Sequence, residues 1–189
     1  MDARLYEGNA MVHSTPTRIT AHEFLQRPET TQITELIDGA VIVSPSPVFR
    51  HQRIVGNLYM LLRGIVPNGE VAMAPMDVHL DETNVVQPDV LWIADNSRAH
   101  IDQWVMGAPD LVIEVLSPAT AEHDRTAKLT LYEQSGVREY WLIDPDDEQI
   151  EVRILGSDGA FVLQGIFTAD DPFISPVVGK SIPIDVVFA

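Results

Sequence analysis

Two strand-like apolar segments of this chain each carry an acidic side chain, and they constrain the fold more than any other feature of the sequence. The first is Val86-Gln-Pro-Asp-Val-Leu-Trp-Ile, and the second is Pro109-Asp-Leu-Val-Ile-Glu-Val-Leu-Ser-Pro. Side chains alternate between the two faces of a strand, so Asp110 and Glu114 lie on the same face. An ionised carboxylate in a buried strand is costly unless it is paired or binds a metal ion. These acids therefore need a partner.

Asp89 and Glu114 suggest a metal site if their strands are neighbours. Two carboxylates on adjacent strands could converge on one hard cation, and Mg²⁺ or Mn²⁺ takes oxygen ligands of this kind. Mg²⁺ commonly accepts two carboxylates and completes its shell with water. In the alternative interpretation, each acid caps a turn or pairs with an arginine at the sheet edge. The residues alone leave both interpretations open.

A helix is predicted over residues 120–135, directly after the second segment, and Gly136 closes it. Asp124, Lys128 and Tyr132 are spaced at i, i+4 and i+8 and share one face of this helix. Lys128 is one of only two lysines in the chain. Its ammonium could lie near a bound metal, where it would orient or deprotonate a water and offset phosphate charge. In the alternative, Asp124 and Lys128 form an ordinary surface pair.

The remaining pattern predicts a mixed sheet flanked by helices, and hence an α/β or α+β fold. Thr20 and Glu23 form a capping box that begins a short helix. An Asp38-Gly turn joins two short strands, and apolar residues near helical spacing predict a long helix over 49–65. Strands are predicted over 71–80, 85–94, 109–116 and 139–143, followed by a hairpin of 151–155 and 160–167.

Length and composition indicate one domain. Of the 189 residues, 18–189 are expected to form this domain and 1–17 a flexible N-terminal segment. The chain has no cysteine, which excludes disulfides, thiolate zinc sites and cysteine nucleophiles. The sequence contains neither a signal-peptide pattern nor a stretch of about 18 apolar residues, so we expect a cytoplasmic protein without membrane contact.

A formal net charge of -16 limits the partners of this chain. At long range this charge repels nucleic acids and anionic membranes. A polyanion must therefore meet a local cationic patch or a bound divalent metal. The densest cationic spot is formed by Arg50, His51 and Arg53 at the start of the 49–65 helix, where a helix N-terminus attracts phosphate. An exposed polar helix face is the alternative.

Several segments that carry these residues occur together from about residue 19 to the C-terminus. They are Glu35-Leu-Ile-Asp-Gly, Pro88-Asp-Val, Pro109-Asp-Leu-Val-Ile-Glu-Val-Leu-Ser-Pro, Asp124 with Lys128-Leu and Tyr132, and Gly136-Val-Arg-Glu-Tyr-Trp-Leu-Ile-Asp-Pro. The acids and the downstream lysine resemble the PD-(D/E)XK nuclease superfamily, and the longer run resembles the Uma-type endonucleases, a bacterial family. The combination is specific, although each short segment alone would be weak.

The resemblance implies a restriction-endonuclease-like fold and a metal-dependent endonuclease that hydrolyses phosphodiester bonds. It implies DNA as the partner, Mg²⁺ or Mn²⁺ as the cofactor, and Asp89 and Glu114 as catalytic acids and metal ligands. The sequence departs from the family pattern after Glu114, where Val115 and Leu116 stand in place of X-Lys. Lys128 on the next helix is then nominated as the displaced catalytic lysine.

Other polar side chains are accessory candidates, namely Glu35, His51, Asp110, Asp124 and Tyr132. The resemblance implies that Glu35 is a supplementary ligand or a water-orienting group, and a turn-flanking glutamate is the alternative. Arg50 and Arg53 are candidates for phosphate binding. A homodimer is expected because cutting two antiparallel strands suits two-fold symmetry. A second functional hypothesis, favoured by the acidic net charge, is a non-catalytic scaffold or interaction module that keeps this fold.

Overall fold

The computed structural model describes residues 18–28 and 30–189, and within these ranges the chain forms two six-stranded sheets, a hairpin and several helices. The helices are α1 (Ala21–Leu25), α2 (Phe49–Ile65), α3 (Ala121–His123), α4 (Leu129–Ser135) and α5 (Asp185–Phe188), with a π-helical segment, Asp124–Lys128, between α3 and α4.

The strands fall into three groups by pairing. The first sheet has the order β2-β1-β5-β4-β8-β7 and consists of β1 (Thr34–Ile37), β2 (Ala40–Val43), β4 (Val78–Asp81), β5 (Asn84–Val86), β7 (His100–Ile101) and β8 (Val105–Met106). The second sheet has the order β12-β11-β10-β9-β6-β3 and consists of β3 (Glu70–Met73), β6 (Val90–Ile93), β9 (Leu111–Val115), β10 (Glu139–Asp144), β11 (Gln149–Leu155) and β12 (Phe161–Phe167). The hairpin is formed by β13 (Phe173–Ser175) and β14 (Lys180–Ile182).

The second sheet lies at the centre of the fold and separates two apolar clusters. Strands β9 and β10 run parallel, whereas the other neighbours in this sheet are antiparallel. Leu58 of α2 and Ile113 of β9 belong to the cluster on one side, and Tyr132 of α4 and Val112 belong to the cluster on the other. Because strand residues alternate between faces, Glu114 lies on the same face as Val112 and points towards α4.

The predicted mixed sheet flanked by helices is confirmed, as are several of its elements. The capping box of α1 is formed, since Glu23 N donates to Thr20 Oγ1 at 3.3 Å and Thr20 N donates to Glu23 Oε2 at 2.8 Å. Helix α2 has the predicted bounds of 49–65. Gly136, with φ of 87°, ends α4 in the left-handed conformation that favours glycine.

Two predicted strands are each divided by a proline. The predicted strand 71–80 is wrong, because Pro75 separates β3 from β4, and the predicted strand 85–94 is wrong, because Pro88 separates β5 from β6. Proline has no N–H to donate to a strand ladder. In both cases the two halves belong to different sheets. Each proline therefore marks a crossing of the chain between sheets rather than the interior of a long strand.

The predicted helix over 120–135 forms, but the π-helical segment interrupts it. A π-helical turn contains one more residue than an α-helical turn, and such segments often occur at functional sites. Asp124 and Lys128, at the two ends of this segment, are both buried. The sequence did not indicate this interruption. It also did not indicate β7, β8, β13, β14 or α5, which are two to four residues long.

None of the helices in the described part of the chain is long and apolar enough to cross a membrane. The predicted flexible segment, residues 1–17, lies outside the described residues.

Candidate active site

A cavity of about 310 Å³ opens where β6 begins and β9 ends. Its lining includes Glu35, His51, Asp89, Glu114, Asp124 and Lys128. These residues come from β1, α2, the β5–β6 connection, β9 and the π-helical segment. Most of the acidic and basic side chains that the sequence nominated therefore meet in one place.

Asp89 and Glu114 lie close to each other at one end of the paired strands β6 and β9. Strands β6 and β9 are antiparallel with Val90 opposite Ile113, so the next pair in the same register is Asp89 and Glu114. Side chains at such opposed positions have Cβ atoms roughly 4.5–5.5 Å apart. Asp89 Oδ2 accepts a hydrogen bond from the backbone N–H of Val115 at 2.7 Å, which fixes the carboxylate against the end of β9.

Lys128 joins two of the carboxylates. Its ammonium donates to Glu114 Oε1 at 2.9 Å and lies 2.9 Å from Glu35 Oε1, while Asp124 Oδ1 is 3.7 Å away. Tyr132 also donates to Glu114 Oε1, at 2.7 Å. One Glu114 oxygen therefore receives two donors, and the helix face predicted from the i, i+4, i+8 spacing is turned towards the sheet.

The charges of this cluster perturb one another strongly. Burial raises the pKa of Glu114 well above its usual value, and the neighbouring carboxylates of Asp124, Asp89 and Glu35 add to this against the opposing effect of Lys128. Burial likewise raises the pKa of Asp124. Burial by itself lowers the pKa of Lys128, but Glu114, Glu35 and Asp124 more than offset this and hold the pKa well above the usual range. Lys128 is therefore an ammonium ion.

His51 pairs with Asp89 at the first turn of α2. Its Nε2 lies 3.2 Å from Asp89 Oδ2, and the imidazole side chain is 11% exposed. Burial lowers the pKa of His51, but the hydrogen bond and the charge of Asp89 raise it by more. Among the described residues, the other ring nitrogen, Nδ1, is buried without a hydrogen-bond partner. His51 thus reaches the site through Asp89.

The two candidate phosphate-binding arginines differ in their surroundings. Arg50 lines the cavity, but its guanidinium lies 3.5 Å from Asp146 and 3.1 Å from Glu148, so two carboxylates already neutralise it. Arg53 is exposed, and no carboxylate within residues 18–28 and 30–189 lies within 4 Å of it. Only Arg53 of this pair thus presents an uncompensated positive charge.

Asp110 does not join the cluster, although it shares a strand face with Glu114. It precedes β9 at the far end from the cavity, four residues and thus roughly 13 Å from Glu114. Its Oδ2 accepts from Ala94 N at 2.9 Å, and its Oδ1 accepts from Arg138 at 3.0 Å. The alternative interpretation, a turn cap paired with an arginine, describes this residue.

Gln87 is a site residue that the sequence reasoning missed. Its backbone N–H donates to Glu35 Oε1 at 2.8 Å, and its side-chain Nε2 donates to Asp77 Oδ1 at 2.7 Å. Its Oε1 is buried, lacks a partner among the described residues, and belongs to a side chain that lines the cavity. The position of Gln87 directly before Pro88-Asp89 is the sequence feature that could have identified it as a site residue.

The fold is that of a nuclease-like α/β protein with a mixed central sheet. A crystal structure described as a putative nuclease belonging to DUF820 from Anabaena variabilis superimposes with a TM-score of 0.75 and 24% identity, covering 90% of this chain and 97% of that chain. A family model, Uma2, described as "Putative restriction endonuclease", matches residues 21–186. The chain belongs to this family.

Two proteins of Synechocystis sp. (strain ATCC 27184 / PCC 6803 / Kazusa) are similar to this chain. The protein named uncharacterized protein sll1609 is 31% identical over 140 residues, which is 71% of this chain and 79% of that protein. The protein named uncharacterized protein slr1290 is 25% identical over 176 residues, which is 90% of this chain and 92% of that protein. The similarity to both spans most of each chain.

Proposed function

We propose that this chain is a metal-dependent endonuclease that hydrolyses phosphodiester bonds of DNA, with Asp89 and Glu114 as ligands of Mg²⁺ or Mn²⁺. One observation carries the proposal. Asp89 directly precedes β6, one register step beyond the Val90–Ile113 pair, where Glu114 is the next residue of β9, and both carboxylates line one cavity. Within the described residues, each keeps one oxygen, Asp89 Oδ1 and Glu114 Oε2, to which no hydrogen bond is donated.

The donor set and the charge of the cavity fit a hard divalent cation. Three carboxylates of the cavity lining, those of Glu35, Glu114 and Asp124, lie within 4 Å of one ammonium, that of Lys128, so this cluster when ionised has an excess of negative charge. No group of three or more His, Asp or Glu side chains within the described ranges is arranged to hold a metal ion. A two-carboxylate site is consistent with Mg²⁺, which retains several waters and binds substrate phosphate oxygens.

Lys128 acts in this proposal as a fixed positive charge rather than as a base. Its raised pKa keeps it protonated, so it cannot take a proton from water. It holds Glu114 and Glu35 in place and adds positive charge close to where a phosphate would bind. When bound, the metal supplies Lewis-acid chemistry that polarises the phosphate. The overall reaction would form a bond from the water oxygen to phosphorus, break one P–O ester bond, and transfer the proton lost by water to the leaving alkoxide.

The accessory residues support this arrangement from behind the ligands. His51 orients Asp89, and Tyr132 orients Glu114, each through a direct contact with the carboxylate. Glu35 and Asp124 lie beside Lys128 and are available to orient water. A homodimer remains our prediction, because two-fold dimers are the commonest assemblies of soluble chains.

Calorimetric titration with Mn²⁺ tests the metal site separately from catalysis. We expect heat of binding for the native chain and its loss in Asp89→Asn and in Glu114→Gln. Asp102→Asn is the control for the lost charge, because Asp102 is exposed and lies outside the cavity lining. Equal heats in all four proteins would remove the proposed site.

Cleavage assays on duplex DNA, single-stranded DNA and RNA test the reaction itself. We expect the native chain to cleave DNA in Mg²⁺ and to lose this activity when the metal is chelated. The Asp89→Asn variant should be inactive even in Mg²⁺. Inactivity on all three substrates, with metal binding intact, would favour the scaffold hypothesis over the endonuclease.

A further inference from the structure

The most exposed large apolar side chain of the described chain lies beside the cavity. Phe49, the first residue of α2, is 82% exposed. Its neighbours in the chain, Val48 and Arg50, both line the cavity, and consecutive Cα atoms are only about 3.8 Å apart. The backbone of Phe49 therefore lies at the cavity rim while its ring projects into solvent.

A cation accompanies this ring. Arg53 follows Phe49 by four residues in α2, so the two side chains occupy adjacent positions on one face of the helix. Arg53 is also exposed, and within residues 18–28 and 30–189 it has no acidic partner like those that neutralise Arg50. An exposed aromatic ring next to an unpaired guanidinium is what binds an unstacked nucleobase and its phosphate in proteins that hold single strands.

The size and charge of the molecule restrict what can use this rim. A cavity of about 310 Å³ admits a unit of nucleotide size, and prolines at 45, 47, 118 and 145 contribute to its lining. A duplex is held mainly through a track of cationic contacts to phosphates, which a chain of net charge -16 with Arg50 already neutralised does not offer. Stacking of a base on an aromatic ring adds affinity that does not come from phosphate contacts, and it requires a base that is not paired in a duplex.

We infer that Phe49 and Arg53 form a platform for an unpaired nucleotide next to the one in the cavity, which makes single-stranded DNA, or an unpaired segment within a duplex, the substrate of the site. The inference rests on the proposed function, because it assigns the substrate class of that same site. Phe49 stacks on a base, and Arg53 contacts the adjoining phosphate. Both are binding residues, and substituting either of them leaves the proposed metal ligands Asp89 and Glu114 unchanged.

Anisotropy of a short fluorescent oligothymidylate, measured in EDTA and again in Ca²⁺, tests the platform without requiring cleavage. We expect Phe49→Ala to weaken binding about fivefold to a hundredfold, and Phe49→Trp to restore it, since any aromatic ring can stack. Binding of the matching duplex should not change. Arg53→Ala should reduce the slope of log affinity against log salt by about 0.7.

Two variants of the same helix serve as controls. Met60→Ala removes an apolar side chain that is 69% exposed and lies about 16 Å further along α2. Arg63→Ala removes a cation that pairs with Glu70 outside the cavity lining. Neither should alter binding of the oligothymidylate.

Three results would overturn the platform. The first is that Phe49→Ala binds oligothymidylate with native affinity, and the second is that the native chain does not bind it in EDTA or in Ca²⁺. The third is that the only effect of Phe49→Ala is a change from dimer to monomer in sedimentation. In the last case Phe49 would contact a second copy of the chain. If Phe49→Ala loses oligothymidylate binding but the native chain neither binds metal nor cleaves DNA, the platform would stand and the proposed endonuclease would be refuted.

Discussion

The ammonium of Lys128 lies 2.9 Å from Glu114 Oε1, and the two side chains are 6% and 4% exposed. Breaking a buried ion pair by removing one partner leaves an uncompensated charge. Here the charge left behind would be that of several carboxylates, because Glu35 and Asp124 surround the same ammonium. The stability of the fold and the geometry of the candidate site therefore depend on one lysine.

Replacing Lys128 by methionine should destabilise the fold by about 3–5 kcal/mol, because the clustered carboxylates lose their cation. If the site binds divalent metal, Mg²⁺ should restore part of this loss by binding the native state alone. Urea unfolding with EDTA and with Mg²⁺ measures both effects. Lys180→Met is the matched control, since Lys180 is the other lysine of the chain and is exposed in β14; it should change stability by less than about 0.5 kcal/mol. An equally small change in Lys128→Met would contradict the buried pair.

Replacing Tyr132 by phenylalanine should remove one hydrogen bond to Glu114 and keep the packing of the ring. We expect a loss of about 0.5–1.5 kcal/mol in stability, because one buried hydrogen bond is lost while Lys128 still donates to the same oxygen, together with weaker Mn²⁺ binding. Tyr140→Phe is the matched control, since its hydroxyl donates to the backbone oxygen of Asp124 at 3.1 Å. It should lower stability without altering the affinity for Mn²⁺. The interpretation fails if both variants bind Mn²⁺ as the native chain does.

Glu139 should make stability fall as the pH rises. Burial raises the pKa of Glu139 above 4.5, although hydrogen bonds from Ser175, Trp141 and Val177 oppose the effect. Between 4.5 and the raised value the native state holds more protons than the unfolded state, so the free energy of unfolding decreases with increasing pH. Glu139→Gln cannot titrate. The difference in the free energy of unfolding between the native chain and this variant should therefore decrease as the pH rises through this window, as measured by urea titrations. A difference that stays constant or rises would contradict the raised pKa of Glu139.

Two glycines should respond oppositely to alanine. A Cβ at Gly69, where φ is +78°, would clash with the backbone oxygen of Ile93, so Gly69→Ala should lower stability by more than about 1 kcal/mol. Gly56 is inside α2 with nothing within 4 Å of an added Cβ, so Gly56→Ala should raise stability by roughly 0.4–1 kcal/mol. Thermal unfolding compares the two. A stabilised Gly69→Ala variant would mean that the turn before β3 adopts another conformation.

The parts of the fold that the sequence predicted are those determined by local patterns. The capping box at Thr20 and the apolar spacing of α2 act within a few residues, and both elements form where expected. The strand boundaries at Pro75 and Pro88 were missed, because apolar residues occur within two positions on both sides of each proline. Which sheet a strand joins is decided by pairing with distant residues, and periodicity does not report this.

The candidate site shows the same limit. The sequence predicted that Asp89 and Glu114 would meet if their strands were neighbours, and β6 and β9 do pair, with both residues in the lining of one cavity. The neutralisation of Arg50 could not be predicted from the sequence, because its partners Asp146 and Glu148 lie almost a hundred residues further along the chain. The role of Gln87 was also not predicted from the sequence, because its contacts with Glu35 and Asp77 depend on how β1 and β5 pair.

The π-helical segment Asp124–Lys128 sets the rotational phase of α4 relative to the central sheet. If the same residues were wound as a plain α-helix, everything that follows the segment would turn by roughly 100° around the helix axis, because the wider turn accommodates one extra residue. Tyr132 would then point away from Glu114, while Asp124 would stay in place. Deleting one residue together with the wide turn would instead keep Tyr132 facing Glu114, so a chain with one residue fewer in this helix can still assemble the site.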